Sequence, residues 1–284
     1  NLGCKVTILE ALPKILDNFD KEISQNLKMI MKKRGVDIHT GAMVQSVRVR
    51  HPEGSGSVSA TVCVYEEKGV EKTAEGEYVL CAAGRRPMTE DLFAEDAQPA
   101  MNGRFIAVDE HLRTSIPGVY AIGDLTGGIQ LAHAASAHGI RAVEEITGQK
   151  TNSQNLDLIP GCVYTDPEIA VVGLTEGAAK EQGREICCGK FIMSANGKSL
   201  ITREERGFIK VVADAGSKKV LGAQMMCARA TDMIGEFTTA IACSLTTEQM
   251  LSAVRAHPTY NEGIAEALKD VFGDSLHTKP RRKR

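Results

Sequence analysis

The stretch from Cys4 to His39 constrains the fold most. Cys4–Leu9 is a short β-rich run ended by Glu10. Across Asp20–Arg34 the apolar residues Ile23, Leu27, Ile30 and Met31 recur at helical spacing and form one face. Asp20 can cap that helix and Gly35 can end it. Val36–His39 then reads as a second strand, so the chain carries a strand–helix–strand unit of the α/β kind. Met43–Arg50 and Val58–Tyr65 alternate apolar and polar residues on either side of a Pro52/Gly54/Gly56 turn. That pattern predicts antiparallel strands. Val70–Thr73 and Tyr78–Ala82 are expected to complete this sheet, and Phe105–Asp109 and Val119–Asp124 to form strands around Thr114–Gly118. A helix is expected over Leu131–Gly148. Beyond it, a helix at Glu176–Gln182, strands near Ile186–Met193, Phe208–Ala213 and Val220–Met226, and a helix at Met233–Cys243 predict an antiparallel sheet with helices on one side. Asn196–Lys198 and Arg203–Arg206 read as solvated turns.

A chain of 284 residues is long enough for two domains. The formal net charge of −2 argues against a broad nucleic-acid-binding face. No apolar run approaches the roughly 20 residues that span a bilayer. Tryptophan is absent, so an aliphatic core is expected. The eight cysteines are Cys4, Cys63, Cys81, Cys162, Cys187, Cys188, Cys227 and Cys243. None forms a C-x-x-C pair, which weakens zinc and thioredoxin readings, and no metal site is expected. Most are expected to be small core residues, the vicinal Cys187-Cys188 included. Their usage suits a reducing compartment, the cytoplasm. The basic tail Lys279-Pro-Arg-Arg-Lys-Arg284 reads as a solvated terminus in preference to a targeting address.

Two places carry chemistry. Ala256-His-Pro-Thr-Tyr-Asn-Glu262 holds a histidine and a carboxylate five positions apart, with a proline between them. Proline biases the residue before it away from helix, so His257 is expected on a bend. Tyr260–Asp270 reads as a helix with Glu262 in its first turn. A carboxylate there can reach back to one imidazole nitrogen, fixing the tautomer and freeing the other nitrogen for proton transfer. A histidine that only satisfies a core or a helix start is the competing reading. Glu10, at a strand end, sits where a Rossmann unit places the acid that accepts from the ribose hydroxyls of NAD. An exposed glutamate is the competing reading there.

Three strings together resemble the flavin-dependent disulfide reductases, the dihydrolipoamide dehydrogenases above all: the histidine segment, Ala83-Gly-Arg-Arg-Pro87, and Ile116-Pro-Gly-Val-Tyr-Ala-Ile-Gly-Asp124. Ile159–Gly173 resembles the opening of that family's dimerisation domain. The resemblance implies α/β plus α+β architecture: a partial Rossmann-type NAD-binding domain over 1–83, a central FAD-contacting segment over 84–157, an α+β dimerisation domain over 158–275 and the basic tail from 276. It implies that His257 is the acid/base and Glu262 its partner. Asp124 would bond the ribityl chain of FAD. Gln130, Leu131, Ala132 and His133 would face the flavin, mostly through main chain, from the start of a helix whose dipole favours negative charge there. Glu10, Val44 and Gly84 would contact the NAD side.

The activity implied is oxidation of a protein-bound dihydrolipoamide by NAD+ through FAD and a redox disulfide. It would run in a homodimer whose histidine serves the partner's disulfide. Partners would be the lipoyl-bearing proteins of 2-oxo acid dehydrogenase or glycine cleavage complexes. A glutathione- or mercuric-reductase-like enzyme and a non-catalytic dimerisation module are the alternatives. The chain contains neither a C-x-x-x-x-C pair nor a G-x-G-x-x-G loop. It is therefore expected to be a partial sequence, inactive by itself.

Overall fold

The computed structural model describes residues 2–50, 60–149 and 155–278. The N-terminal part opens with β1 (Thr7–Glu10), α1 (Lys21–Lys33) and β2 (Asp37–Thr40). β1 and β2 pair in parallel from Thr7↔Asp37 to Glu10↔Thr40. Asp20 caps α1, its Oδ1 accepting from the Glu22 N–H at 2.8 Å. Gly35 follows the helix at φ +84°, a left-handed conformation suited to glycine. Ile23, Leu27 and Ile30 are buried as the periodicity predicts; Met31 is only half-buried.

β3 (Ala42–Arg50), β4 (Ala60–Glu67) and β5 (Val70–Gly76) form an antiparallel meander. A register shift between Val44 and Ser46 leaves an extra residue at a bulge. The predicted Pro52/Gly54/Gly56 turn and the start of the strand at Val58 lie outside the described residues, as does the tail from Lys279. Tyr78–Ala82 is not a strand: among the described residues nothing pairs with it, and Tyr78 and Leu80 are 90% exposed. β propensity without a neighbouring ladder does not make a strand. The strands expected at Phe105–Asp109 and Val119–Asp124 shrink similarly. The first is β7 (Phe105–Ile106), paired with β6 (Met101–Asn102), and the second is one bridge, Arg113↔Tyr120. α2 (Ala132–Thr147) follows, ended by Gly148 in the left-handed region.

The C-terminal part is a five-stranded antiparallel sheet. In chain order its elements are β8 (Gly161–Val163), β9 (Ile169–Gly173), α3 (Glu176–Glu181), β10 (Ile186–Ile192), α4 (Gly197–Thr202), β11 (Phe208–Asp214), β12 (Val220–Met226), α5 (Ala230–Ala242), α6 (Thr247–Leu251) and α7 (Glu262–Asp270). The strand order is β10-β11-β12-β9-β8. One face buries Phe191, Ile209, Val211 and Met225 against Phe237 of α5 and Ile264 and Leu268 of α7. The other face is covered too, a feature strand spacing does not reveal. Ile169, Phe208 and Met226 pack against Ile23, Leu27 and Ile30 of α1, so the two parts share a core. No helix among the described residues is long and apolar enough to cross a membrane.

Two further expectations are corrected. Asn196 is not in a solvated turn. It is 3% exposed and caps α4, accepting from the Ser199 N–H at 2.9 Å. The cysteines are not mostly core: Cys63 and Cys227 are buried, Cys162, Cys187 and Cys188 half-buried, and Cys4, Cys81 and Cys243 exposed, all as free thiols. Apolar neighbours in sequence do not bury a thiol where strand alternation turns it outward. Cys187 and Cys188, adjacent on β10, point to opposite faces.

Ion pairs flank the shared core. Lys210 on β11 is largely buried and bonds Glu176 at 2.7 Å and Asp20, the α1 cap, at 3.3 Å. Hydrogen bonds from Lys180 and Lys210 outweigh partial burial and hold the Glu176 carboxyl at about 2, against an ordinary 4.5. A depressed carboxyl contributes stability that is present above its unfolded value and lost as pH falls through its folded value. A urea midpoint that drops between about pH 5 and about pH 2 is therefore expected, and Glu176→Gln should flatten part of that drop. Identical pH profiles for the two proteins would show that this carboxylate contributes nothing to the junction.

Candidate functional site

The His257 segment bridges α6 and α7. The His257-Pro258 peptide is cis and the chain bends there. Glu262 is the first residue of α7, where the helix dipole favours a carboxylate. Its Oε1 lies 2.9 Å from His257 Nδ1, and its Oε2 accepts from the Thr259 N–H at 2.9 Å. Thr259 Oγ1 donates to the Ala256 carbonyl at 2.7 Å, closing the bend. Partial burial raises the Glu262 carboxyl, but the Thr259 N–H and the imidazole outweigh it and leave the group below the usual carboxylate range. An ionised Glu262 accepts a hydrogen bond from Nδ1–H, which leaves Nε2 as the nitrogen with the free lone pair. The His257 side chain is 76% exposed, and Nε2 has no partner among the described residues. This is a base held by a carboxylate and open to an incoming group.

Asp124 stands apart, in a 3-10 turn over Gly123–Thr126. Gly123 adopts φ +65°, and a Cβ there would lie 2.9 Å from the Ala135 Cβ, so only glycine lets this turn seat on α2. The Gly123 N–H donates to His138 Nδ1 at 3.2 Å. Arg85, from the Gly84-Arg85-Arg86-Pro87 turn, comes within 3.6 Å of the Asp124 carboxylate. Two of the family-like strings thus meet in space, 39 residues apart in the chain. Leu131 begins α2 without a side-chain cap. Beside it, Gln130 Nε2 is buried without a hydrogen-bond partner. A buried unpaired amide costs about 1–3 kcal/mol, so a donor left over beside an uncapped helix start fits an electron-rich carbonyl or an anionic group. Ala132 and His133 open the helix, exposed. The His133 ring is engaged elsewhere, Nε2 bonding the Pro160 carbonyl at 2.8 Å.

The residues predicted for the nicotinamide side are separate again. Glu10 ends β1 and accepts from the Leu12 N–H at 2.9 Å. Val44 sits beside the β3 bulge, 42% exposed, and Gly84 adopts φ +99°. Among the described residues no hydrogen bond or ion pair joins these three. No group of three or more His, Cys, Asp or Glu is assembled to hold a metal among the described residues. Sequence reasoning missed Thr259, Asn196 and Arg85. Arg85 was signalled by its place in the Gly-Arg-Arg-Pro string; Thr259 and Asn196 act through backbone contacts that leave no mark on spacing.

The model of the pyridine nucleotide-disulphide oxidoreductases matches residues 1–139, and the model of the dimerisation domain of those enzymes matches residues 159–268. The dihydrolipoyl dehydrogenase of Bacillus subtilis (strain 168) is 40% identical over 279 residues, 98% of this chain and 58% of that protein. One of Staphylococcus aureus is 39% identical over the same shares. The chain thus spans about 58% of the length of these relatives. Among solved structures, the HOCl-induced flavoprotein disulfide reductase of Escherichia coli superposes with a TM-score of 0.80 at 28% identity, over 95% of this chain and 59% of that one. A Mycobacterium tuberculosis structure at 24% identity shares the fold with a TM-score of 0.84, over 94% of this chain and 56% of its own.

Proposed function

Because this chain belongs to the pyridine nucleotide-disulphide oxidoreductase family, we propose that it carries the acid/base pair, flavin-contacting turn and dimerisation domain of a dihydrolipoamide dehydrogenase. The reaction is oxidation of a dithiol to a disulfide by NAD+, releasing NADH and one proton. The observation that carries this reading is the His257–Glu262 pair at 2.9 Å, with the second imidazole nitrogen exposed.

In this reading Nε2 of His257 takes a proton from the incoming dithiol, generating the nucleophilic thiolate. Glu262 stabilises the imidazolium so formed and keeps the ring from turning. FAD, when bound, supplies the two-electron link between the disulfide and NAD+. Asp124 would accept hydrogen bonds from hydroxyls of its chain, and Gln130 with the start of α2 would meet its polar ring edge. Glu10 favours NAD over NADP, since a 2′-phosphate would be repelled there. Glu10, Val44 and Gly84 form the NAD side.

The dimerisation domain supports a homodimer in which His257 works on a disulfide from the partner. The physiological dithiol would be a lipoyl-bearing protein of a 2-oxo acid dehydrogenase or glycine cleavage complex. The free thiols suit the cytoplasm.

The test is a turnover assay on the purified full-length protein. Dihydrolipoamide-dependent reduction of NAD+ is expected, with little reduction of NADP+. Reduction of glutathione disulfide by NADPH instead would move the chain to the glutathione-reductase reading. A colourless protein lacking flavin absorbance would support a non-catalytic module.

A further inference from the structure

We infer that Asn196 is a positioning residue for the His257–Glu262 pair. The inference rests on the proton-handling role proposed above. Asn196 lies 63 residues from Thr259 in the chain, yet its Nδ2 donates to the Thr259 carbonyl at 3.1 Å. The amide cannot be turned round. Its Oδ1 already receives two donors, the Ser199 N–H at 2.9 Å and the Ser199 hydroxyl at 3.1 Å, so a flip would set an NH2 group against the Ser199 N–H and an oxygen against the Thr259 carbonyl. Asn196 and Ser199 are buried, at 3% and 0% exposure, so water does not replace these bonds cheaply.

Thr259 is the residue whose N–H holds Glu262 Oε2. A relay therefore runs from the start of α4 through the backbone of one residue, Thr259, to the carboxylate and on to His257 Nδ1. The loop's ends are held differently: Arg255 and Asn261 both bond Glu236 of α5. Asn196 is the partner of the Thr259 carbonyl, which has no other among the described residues; the middle is also tied by the Thr259 hydroxyl to the Ala256 carbonyl and by the Tyr260 hydroxyl to Thr202 and Glu204. Helix α4 is also a neighbour of the ring, since a Cβ built on Gly197 would lie 4.0 Å from His257 Cε1. One side chain thus caps α4 and sets the height of the Thr259 peptide.

The experiment separates the two duties. Asn196→Ser in the full-length, FAD-loaded protein keeps a capping hydroxyl for α4 and removes the amide donor. The expected result is a kcat for dihydrolipoamide lowered about tenfold with KM unchanged, because the serine touches no substrate. In a Glu262→Ala background the same change should cost less than about twofold, because the group it acts through is gone. A wild-type kcat for Asn196→Ser beside an impaired His257→Gln overturns the positioning role and leaves the acid/base reading standing. Equal losses in both backgrounds also overturn it. Unchanged turnover in His257→Gln overturns the reading itself, and the inference with it. If Asn196→Ser does not fold, Asn196→Asp is read by the same criteria; it keeps an acceptor for α4 and sets a second one against the Thr259 carbonyl.

Discussion

Replacing His257 by glutamine in the full-length enzyme is expected to lower dihydrolipoamide turnover by roughly 10²–10⁴-fold, the usual worth of a positioned acid/base. FAD content should be unchanged. The glutamine amide can still donate to Glu262, so the loop keeps its hydrogen bond and loses only the imidazole nitrogen that can take up a proton. The site is exposed and belongs to neither hydrophobic core, so stability should move by no more than about 0.5 kcal/mol. Asp124 and Gln130, for which flavin contacts are proposed, lie on segments remote in sequence from His257, so flavin binding should not follow the loss. The measurement pairs steady-state NADH formation with flavin absorbance per subunit. Turnover close to that of the parent protein would remove His257 from the mechanism. A loss of flavin in step with activity would reassign the residue to structure.

The second large effect lies out of reach of any substrate. Gly189 on β10 faces α7, and a Cβ there would fall 2.0 Å from the Ala267 carbonyl oxygen and 2.7 Å from the Val271 nitrogen. Both are backbone atoms, so no rotamer change relieves the clash. Gly189→Ala must lift α7 from the sheet, opening the core formed by Phe191, Ile264 and Leu268. Overpacking typically costs about 1–3 kcal/mol, and contact with backbone places this case at or above the top of that range. Glu262 is the first residue of α7, so displacing the helix also moves the carboxylate from His257. Thermal melting and turnover should fall together. A melting temperature equal to the parent's would mean that α7 does not approach β10 as described. A fall in stability with intact turnover would show that Glu262 is held by its loop and not by the helix.

Much of the chemistry was written in short windows. The α1 face, the Asp20 cap and Gly35 came from spacing within 16 residues, because helical periodicity and end-capping are local properties of the backbone. The His257–Glu262 contact was legible for the same reason: a proline bend followed by a helix start leaves a carboxylate five positions on within reach of the ring. Propensity misled where structure needed a partner. Tyr78–Ala82 has the composition of a strand but no neighbour among the described residues, and most cysteines in apolar runs are turned partly or wholly outward.

What the amino-acid order determined alone was therefore α1 with its two ends, the β-α-β unit and the His257–Glu262 contact. Only tertiary structure decided that α1 covers the second face of the C-terminal sheet, that Arg85 meets Asp124, and that buried Asn196 grips the peptide of Thr259. Each of these contacts joins residues dozens of positions apart. No periodicity encodes such pairings; they exist because burying apolar faces brings the remaining polar groups together, and those groups must then find one another.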